Sequence, residues 1–329
     1  MAFLRNVMRG LARRRAADDK TPKLLGDLQV REAETATDTQ GQNATRGDEI
    51  LEHHQVETEE LGPLAKLPPF APVVMSLVRL FDRDDVKIDA VASLIESDPA
   101  IASELLAVAN SPLFGFSGAI TSPGHAITLL GIERTRALAT ALAMRSMMQG
   151  APRTPVVRRF WTHSMATAAI AQEFAAAFGV PGGLAHVAGI THDLGRLGLL
   201  AAHPTEYVRL ALATYNSEGD IRAVEQAQFG MDHCHAGALL AKAWGLPKAL
   251  CVTAEHHHEP SANRSLPTLI HLSCRLADDL MFQAIRHKDP RDPPATIAAC
   301  APEAIRGGLA DRVETAKINA LKMIESLDL

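Results

Sequence analysis

Period-two alternation of polar and apolar residues, the mark of a half-buried strand, is nowhere sustained in this 329-residue chain. Aromatic residues are scarce as well, at 4%, while alanine and leucine carry much of a 47% hydrophobic content. Together these exclude a sheet-based core and point to an all-α protein. No stretch reaches the ~18 uninterrupted apolar residues that a membrane span needs, and the N-terminus has no apolar signal core. The four cysteines, Cys234, Cys251, Cys274 and Cys300, include no CxxC pair. With no secretory context either, a reduced cytoplasm is the expected setting. A net charge of −5 argues against a general nucleic-acid binder, because phosphate backbones attract a basic surface.

What is present falls into blocks. Residues 1–20 set Phe3, Leu4, Val7, Met8 and Leu11 at helical spacing among Arg5, Arg9, Arg13, Arg14 and Arg15. Such a basic amphipathic segment suits peripheral membrane contact through residues 1–15, or an acidic partner. Its apolar face is short, so a solvated tail is the simpler reading. Residues 21–60 are polar, acidic and aperiodic, which predicts a disordered linker.

The folded body is expected from Leu61. Pro68, Pro69 and Pro72 lead into a helix over Val73 to Phe81. Asp98-Pro99 and Ser122-Pro123 are helix starts, each a capping side chain followed by proline at the first helical position. Asn110-Ser111-Pro112 and Gly131 are stops. The short helix, Gly131 and the longer IERTRALATALAMRSMM could also form a DNA-reading helix-turn-helix with Arg134 and Arg136 exposed. A structural hairpin suits the acidic chain better. Pro152 and Pro155 mark a joint between one helical half, 61–150, and a second, 151–286. Helices in the second are expected over 157–178, 184–200, 205–215, 221–228, 233–244, 247–258 and 267–286. Residues 287–329 read as a loop and a helix striped by Leu309, Val313, Ala316, Ala320, Met323 and Leu327. Over so few turns that stripe packs on its own domain more readily than it forms a homodimer seam.

The chemistry-bearing residues sit in the second half, where ten of the fourteen histidines fall between His163 and His271. Imidazole is the commonest side-chain metal ligand, and several imidazoles plus one carboxylate are what a divalent-metal centre needs. Asp193, in AGITHDLGRL, is a charge among apolar neighbours, costly to bury unless it is paired or metal-bound. On one helix His192 and Asp193 would lie about 100° apart, sharing an ion only beside that edge. His233 stands four residues before Gly237, where a glycine lets another helix approach and leaves the ring facing a cleft. His235, two positions on, points elsewhere.

From LPPFAPVVMSLVRLF through IESDPAIASELLAVANSPLFG and SPGHAITLLGIERTRALA to FWTHS, HDLGRL, HCHAGALLAKAWGLP and HHHEP, the order and spacing resemble an HDOD domain. HDOD domains are regulatory relatives of HD metal-dependent phosphohydrolases and HD-GYP phosphodiesterases. The resemblance implies a helical bundle in two packed halves and a metal set of His163, His192, Asp193, His233, His257 and His258. A late-helix Asp that completes the site in HD proteins falls on Cys274 here, with Asp278 one turn further on. Cys274 would shift preference from magnesium or manganese towards softer metals, so zinc or iron is expected before manganese. Arg196 replaces the lysine of HD-GYP enzymes; it can contact phosphate but cannot shuttle a proton. No Gly-Tyr-Pro follows the histidine run. The resemblance therefore implies a non-enzymatic signal-transduction module with a degenerate metal site, working through other signalling proteins. The alternative is a metal-dependent phosphohydrolase acting on a nucleotide or cyclic dinucleotide.

Overall fold

In a computed structural model the chain is described at residues 60–80, 86–111, 114–116, 118–149, 154–214, 220–259, 261, 263–285 and 308–327. The basic segment and linker of residues 1–59, Pro112, Pro152 and residues 286–307 lie outside the described residues. Among the described residues all regular structure is helical. The first stretch holds α1 (Pro72–Arg79), α2 (Ile88–Glu96), α3 (Pro99–Ala109), α4 (Pro123–Leu130) and α5 (Ile132–Gln149). The second holds α6 (Pro155–Phe174), a 3-10 turn (Ala175–Phe178), α7 (Gly182–Thr191), α8 (Leu194–Ala202), α9 (Pro204–Thr214), α10 (Ile221–Phe229), α11 (His233–Ala243), α12 (Lys248–His256) and α13 (Leu266–Asp279). Helix α14 spans Leu309–Ser326.

Short polar side chains start these helices. Asp98 accepts from the backbone N–H of Ala100 and Ile101 at 3.0 and 3.2 Å, and Ser122 from His125 at 3.2 Å. In the second stretch Asp232 accepts from His235 at 2.9 Å, fixing the first turn of α11 and with it His233. Each cap satisfies donors that the helix itself leaves orphaned.

Helix α6 is the central rod of the second stretch. Trp161, Met165, Ala168 and Ile170 are buried on it, and α7, α13 and α14 pack around it. The apolar stripe of α14 is spent on this contact, with Val313, Ala316, Ala320 and Leu327 buried. The buried core runs without interruption from Leu64, Val74 and Leu105 to Ile170, Leu199 and Ile270, so both stretches share it. Between them lies a cavity of about 620 Å³, lined among others by Phe70, Ile101, Met147, Leu197 and Leu200.

The structure removes one alternative and corrects one expectation. Arg134 is exposed, but Arg136 is only 3% exposed and bonds to Glu133 at 3.3 Å. With Ala137 to Met144 buried as well, α5 is a core helix and not a groove reader. The helix expected over 184–200 is two, α7 and α8, broken at His192-Asp193. Asp193 has φ −97° and ψ 19°, in the sparsely occupied bridge region between turn and helix.

Close packing at that break rests on glycine. A Cβ on Gly195 would stand 1.9 Å from the His233 carbonyl oxygen and 2.5 Å from the Gly237 nitrogen. Helices α8 and α11 therefore touch backbone to backbone, and Gly237 takes part as the sequence spacing suggested. The obstacle to a methyl group is main chain and cannot rotate away. Gly195→Ala should lower stability by about 3 kcal/mol in urea denaturation, at the upper end of overpacking costs.

Helix α13 ends less comfortably. The N–H of Met281 donates to the Asp278 carbonyl at 3.1 Å and that of Phe282 to the Ala277 carbonyl at 2.9 Å. This is the Schellman arrangement, whose left-handed residue is usually glycine. Here it is Met281, with φ 73° and its side chain 81% exposed. Left-handed backbone costs an L-residue roughly 1–2 kcal/mol, and glycine's extra unfolded-state entropy costs roughly 0.4–1 kcal/mol. Met281→Gly should therefore stabilise the protein by about 0.5–1 kcal/mol, read from the thermal midpoint.

Candidate metal centre

Five backbone segments deliver the site. Helix α6 carries His163, the α7–α8 break carries His192 and Asp193, and α8 carries Arg196. The first residue of α11 is His233, and His257 and His258 lie just past the last residue of α12. Cys274 and Asp278 come from α13. His163, His192, Asp193, Arg196, His233 and His257 are all 6% exposed or less, while His258 is partly covered.

Asp193 is the hub. Its Oδ1 lies 3.5 Å from the Nε2 of both His233 and His257. Its Oδ2 lies 3.5 Å from His192 Nε2 and 4.0 Å from His163 Nε2. The break in the helix, not a shared helical edge, lets His192 and Asp193 face the same point. Arg196 Nε pairs with Asp193 Oδ2 at 2.9 Å.

Three rings are held from behind by main chain. Nδ1 of His163 lies 2.8 Å from the Phe282 carbonyl, Nδ1 of His192 is 2.8 Å from Gly189, and Nδ1 of His257 is 2.9 Å from Ala254. A carbonyl only accepts, so each Nδ1 carries the proton and each Nε2 presents a lone pair inward. His192 Nε2, His257 Nε2 and Asp193 Oδ1 are buried with no hydrogen-bond partner. Buried polar atoms ordinarily find partners. These three aim at one another, and their ligand atoms lie within 4.8 Å, as do those of His163, His192 and Cys274. The donor set fits a divalent cation.

The other side is already internally compensated. Glu225, fully buried on α10, accepts from the backbone N–H of His233 at 3.0 Å and faces its Nδ1 at 2.5 Å. It also accepts from Tyr207 Oη at 2.7 Å and Arg196 Nη1 at 3.4 Å. His233 Nε2 meets Arg196 Nη2 at 3.2 Å and His258 Nε2 at 3.0 Å. His233, Cys234, His257 and His258 form a further group with ligand atoms within 4.8 Å.

Burial alone would raise the Asp193 carboxyl, but Arg196 and the surrounding imidazoles hold it well below the usual carboxylate range. Burial presses His192 down to about 3 and lowers His163 and His257, so these rings are neutral. His258 is pushed well down by burial and by His257. At His233, burial and Arg196 oppose a second proton, yet Glu225 and Cys234 together outweigh them and the ring rises to about 10. Glu225, which burial would raise, is drawn down to about 2 by His233 and Arg196.

Cys274 Sγ stands 3.4 Å from His163 Nε2, on the inward edge of that ring. Burial, with Asp278 and Asp193 nearby, pushes its thiol well above the usual range. Asp278 Oδ1 is 3.4 Å from His163 Nδ1, the outward edge, and burial raises its carboxyl to about 8. Of the two residues α13 offered, Cys274 faces the cluster and Asp278 stands behind it. His235 points away, 2.9 Å from Glu60, and His256 lies outside against Glu259.

Nothing in the sequence marks Glu225, Tyr207 or His271, whose Nδ1 lies 2.7 Å from the His257 carbonyl. Glu225 sits in IRAVEQAQFG on a helix with exposed polar neighbours, where one more acid carries no mark of burial.

An all-helical bundle holding a buried imidazole–carboxylate cluster, its Asp directly after a His, defines an HD-type helical domain. The chain belongs to the HDOD domain family, which it matches over residues 67–260. A solved structure from Shewanella amazonensis, provisionally named a phosphohydrolase, is 22% identical, with a TM-score of 0.64 over 82% of this chain and 97% of that one. Another from Marinobacter aquaeolei, provisionally named a signal transduction protein, is 18% identical, with a TM-score of 0.67 over 84% of this chain and 66% of that one. At such identities the likeness is one of fold. An uncharacterized protein of Treponema pallidum is 23% identical over 207 residues, 62% of this chain but 40% of that protein's length. No described helix is long and apolar enough to cross a membrane.

Removing Glu225 would strand Arg196 and His233 in the interior. Glu225→Ala should cost about 3–5 kcal/mol, the range for breaking a buried ion pair from one side. Urea denaturation monitored by circular dichroism measures it.

Proposed function

We propose that the chain is a non-enzymatic HDOD regulatory module. It holds a soft divalent metal as a structural element and signals through contacts of its helical surface with other signalling proteins. The observation that carries this reading is the state of Asp193: it is buried and paired at 2.9 Å with the fixed charge of Arg196. A hydrolytic centre needs an open coordination position for water and substrate. Here the carboxylate that would serve both is sealed in and partly neutralised. Cys274 at the inward edge of His163 adds a soft donor where phosphoester hydrolysis calls for a hard one.

Zinc or iron would be held by His192, Asp193 and His257, with His163 and Cys274 adjoining. Bound there, the metal would lock four segments of chain together and stabilise the bundle. The phosphohydrolase reading has one observation in its favour: His163, His192, Asp193, His233, His257 and His258 all converge.

Elemental analysis of the purified, untagged protein should find zinc or iron. With manganese, wild type, Cys274→Asp and Asp278→Ala are assayed on a generic phosphodiester and on cyclic dinucleotides. Wild type and Asp278→Ala should both stay at the protein-free background. Cys274→Asp should bind manganese roughly tenfold more tightly, the scale on which changes around a metal act. Robust wild-type turnover that is lost in Asp278→Ala would overturn the regulatory reading in favour of the enzyme.

A further inference from the structure

The cluster offers two places for a cation. One is bounded by His192, Asp193 and His257, the other by His233, Cys234, His257 and His258. Asp193 faces both, since its Oδ1 is 3.5 Å from His233 and from His257 while its Oδ2 is 3.5 Å from His192. Such a carboxylate could bridge two ions, as in two-metal sites generally. They differ in what already stands there. At the first, two imidazole nitrogens and a carboxylate oxygen are buried and unpartnered. At the second, the Arg196 guanidinium reaches Asp193 Oδ2 with Nε at 2.9 Å, His233 Nε2 with Nη2 at 3.2 Å and Glu225 with Nη1 at 3.4 Å.

Resting on the metal reading above, we infer that Arg196 is a built-in cation occupying the second seat, so that each chain holds one metal ion and not two. Three features support this. The guanidinium is permanently charged, so no pH in the working range vacates the seat. It sits against His233 Nε2, a ligand atom of the second seat, and grips by its other oxygen the Asp193 carboxylate that would bridge the two seats. Its place is fixed from the far side by Glu225, itself fully buried and bonded to Tyr207 at 2.7 Å. A divalent ion arriving beside His233 and His258 would meet a like charge in a dry interior, where repulsion is poorly screened. Cys234 makes that seat suited to zinc once the guanidinium is gone.

The test is metal stoichiometry, not activity. Wild type, Arg196→Lys and Arg196→Gln are stripped with chelator, equilibrated by dialysis against zinc, and analysed for zinc per chain, with circular dichroism confirming the fold. Wild type and the charge-preserving Arg196→Lys should each hold one zinc. The neutral Arg196→Gln should hold two, and Cys234→Ala added to it should return the count towards one. Two zinc ions in wild type would overturn the inference while leaving the metal reading intact. A single zinc in a folded Arg196→Gln would overturn it as well. No zinc in any of the proteins would overturn the metal reading and the inference together.

Discussion

A single carboxylate, Asp193, organises the second half of this protein. Burying an ionised carboxylate is among the most expensive things a fold can do, and it persists only where opposite charge and hydrogen-bond donors surround it. Arg196 at 2.9 Å supplies the charge, while the lone-pair edges of His163, His192 and His257 face the carboxylate without donating to it, a gap that a bound cation would fill. Much of the neighbouring architecture serves this arrangement. The chain breaks between α7 and α8 to aim the carboxylate, Gly195 and Gly237 let α8 and α11 meet so that His233 can reach it, and Glu225 balances Arg196 from the far side.

How much of this was legible in the sequence follows from the range of each signal. Helix starts are local: Asp98-Pro99 and Ser122-Pro123 each act within one turn, and the structure uses both. The histidines and Asp193 were conspicuous because charge inside AGITHDLGRL needs a reason. What could not be read is where a helix bends under tertiary demand. GLAHVAGITHDLGRLGLL carries one continuous helical period, yet the helix breaks at His192-Asp193, where the carboxylate turns to Arg196. Nor could Arg136 be told from Arg134, because two positions along a helix turn one side chain to solvent and the other to the core. Glu225 was silent for the same reason, since burial belongs to the fold and not to the residue.

Cys274 and Asp278 show how spacing and direction together settle what spacing alone leaves open. They lie one helical turn apart and both approach His163, yet they touch opposite nitrogens of the same ring. The thiol faces the imidazole cluster. The carboxyl stands with the Phe282 carbonyl at the outer edge, where a raised affinity for its proton lets it remain uncharged. Of the two, the thiol is the one aimed into the imidazole cluster.

The carbonyls behind His163, His192 and His257 have a further consequence. By holding the proton on Nδ1 in each ring, the main chain leaves only Nε2 available for anything else. A second proton and a metal ion must then compete for the same three atoms, and neither can bind by turning the ring over. With His192 pressed to about 3, the proton is the weaker competitor there until the medium is strongly acidic. Backbone geometry confines the contest to these atoms, and burial, which disfavours the protonated ring, gives the ion the advantage at His192.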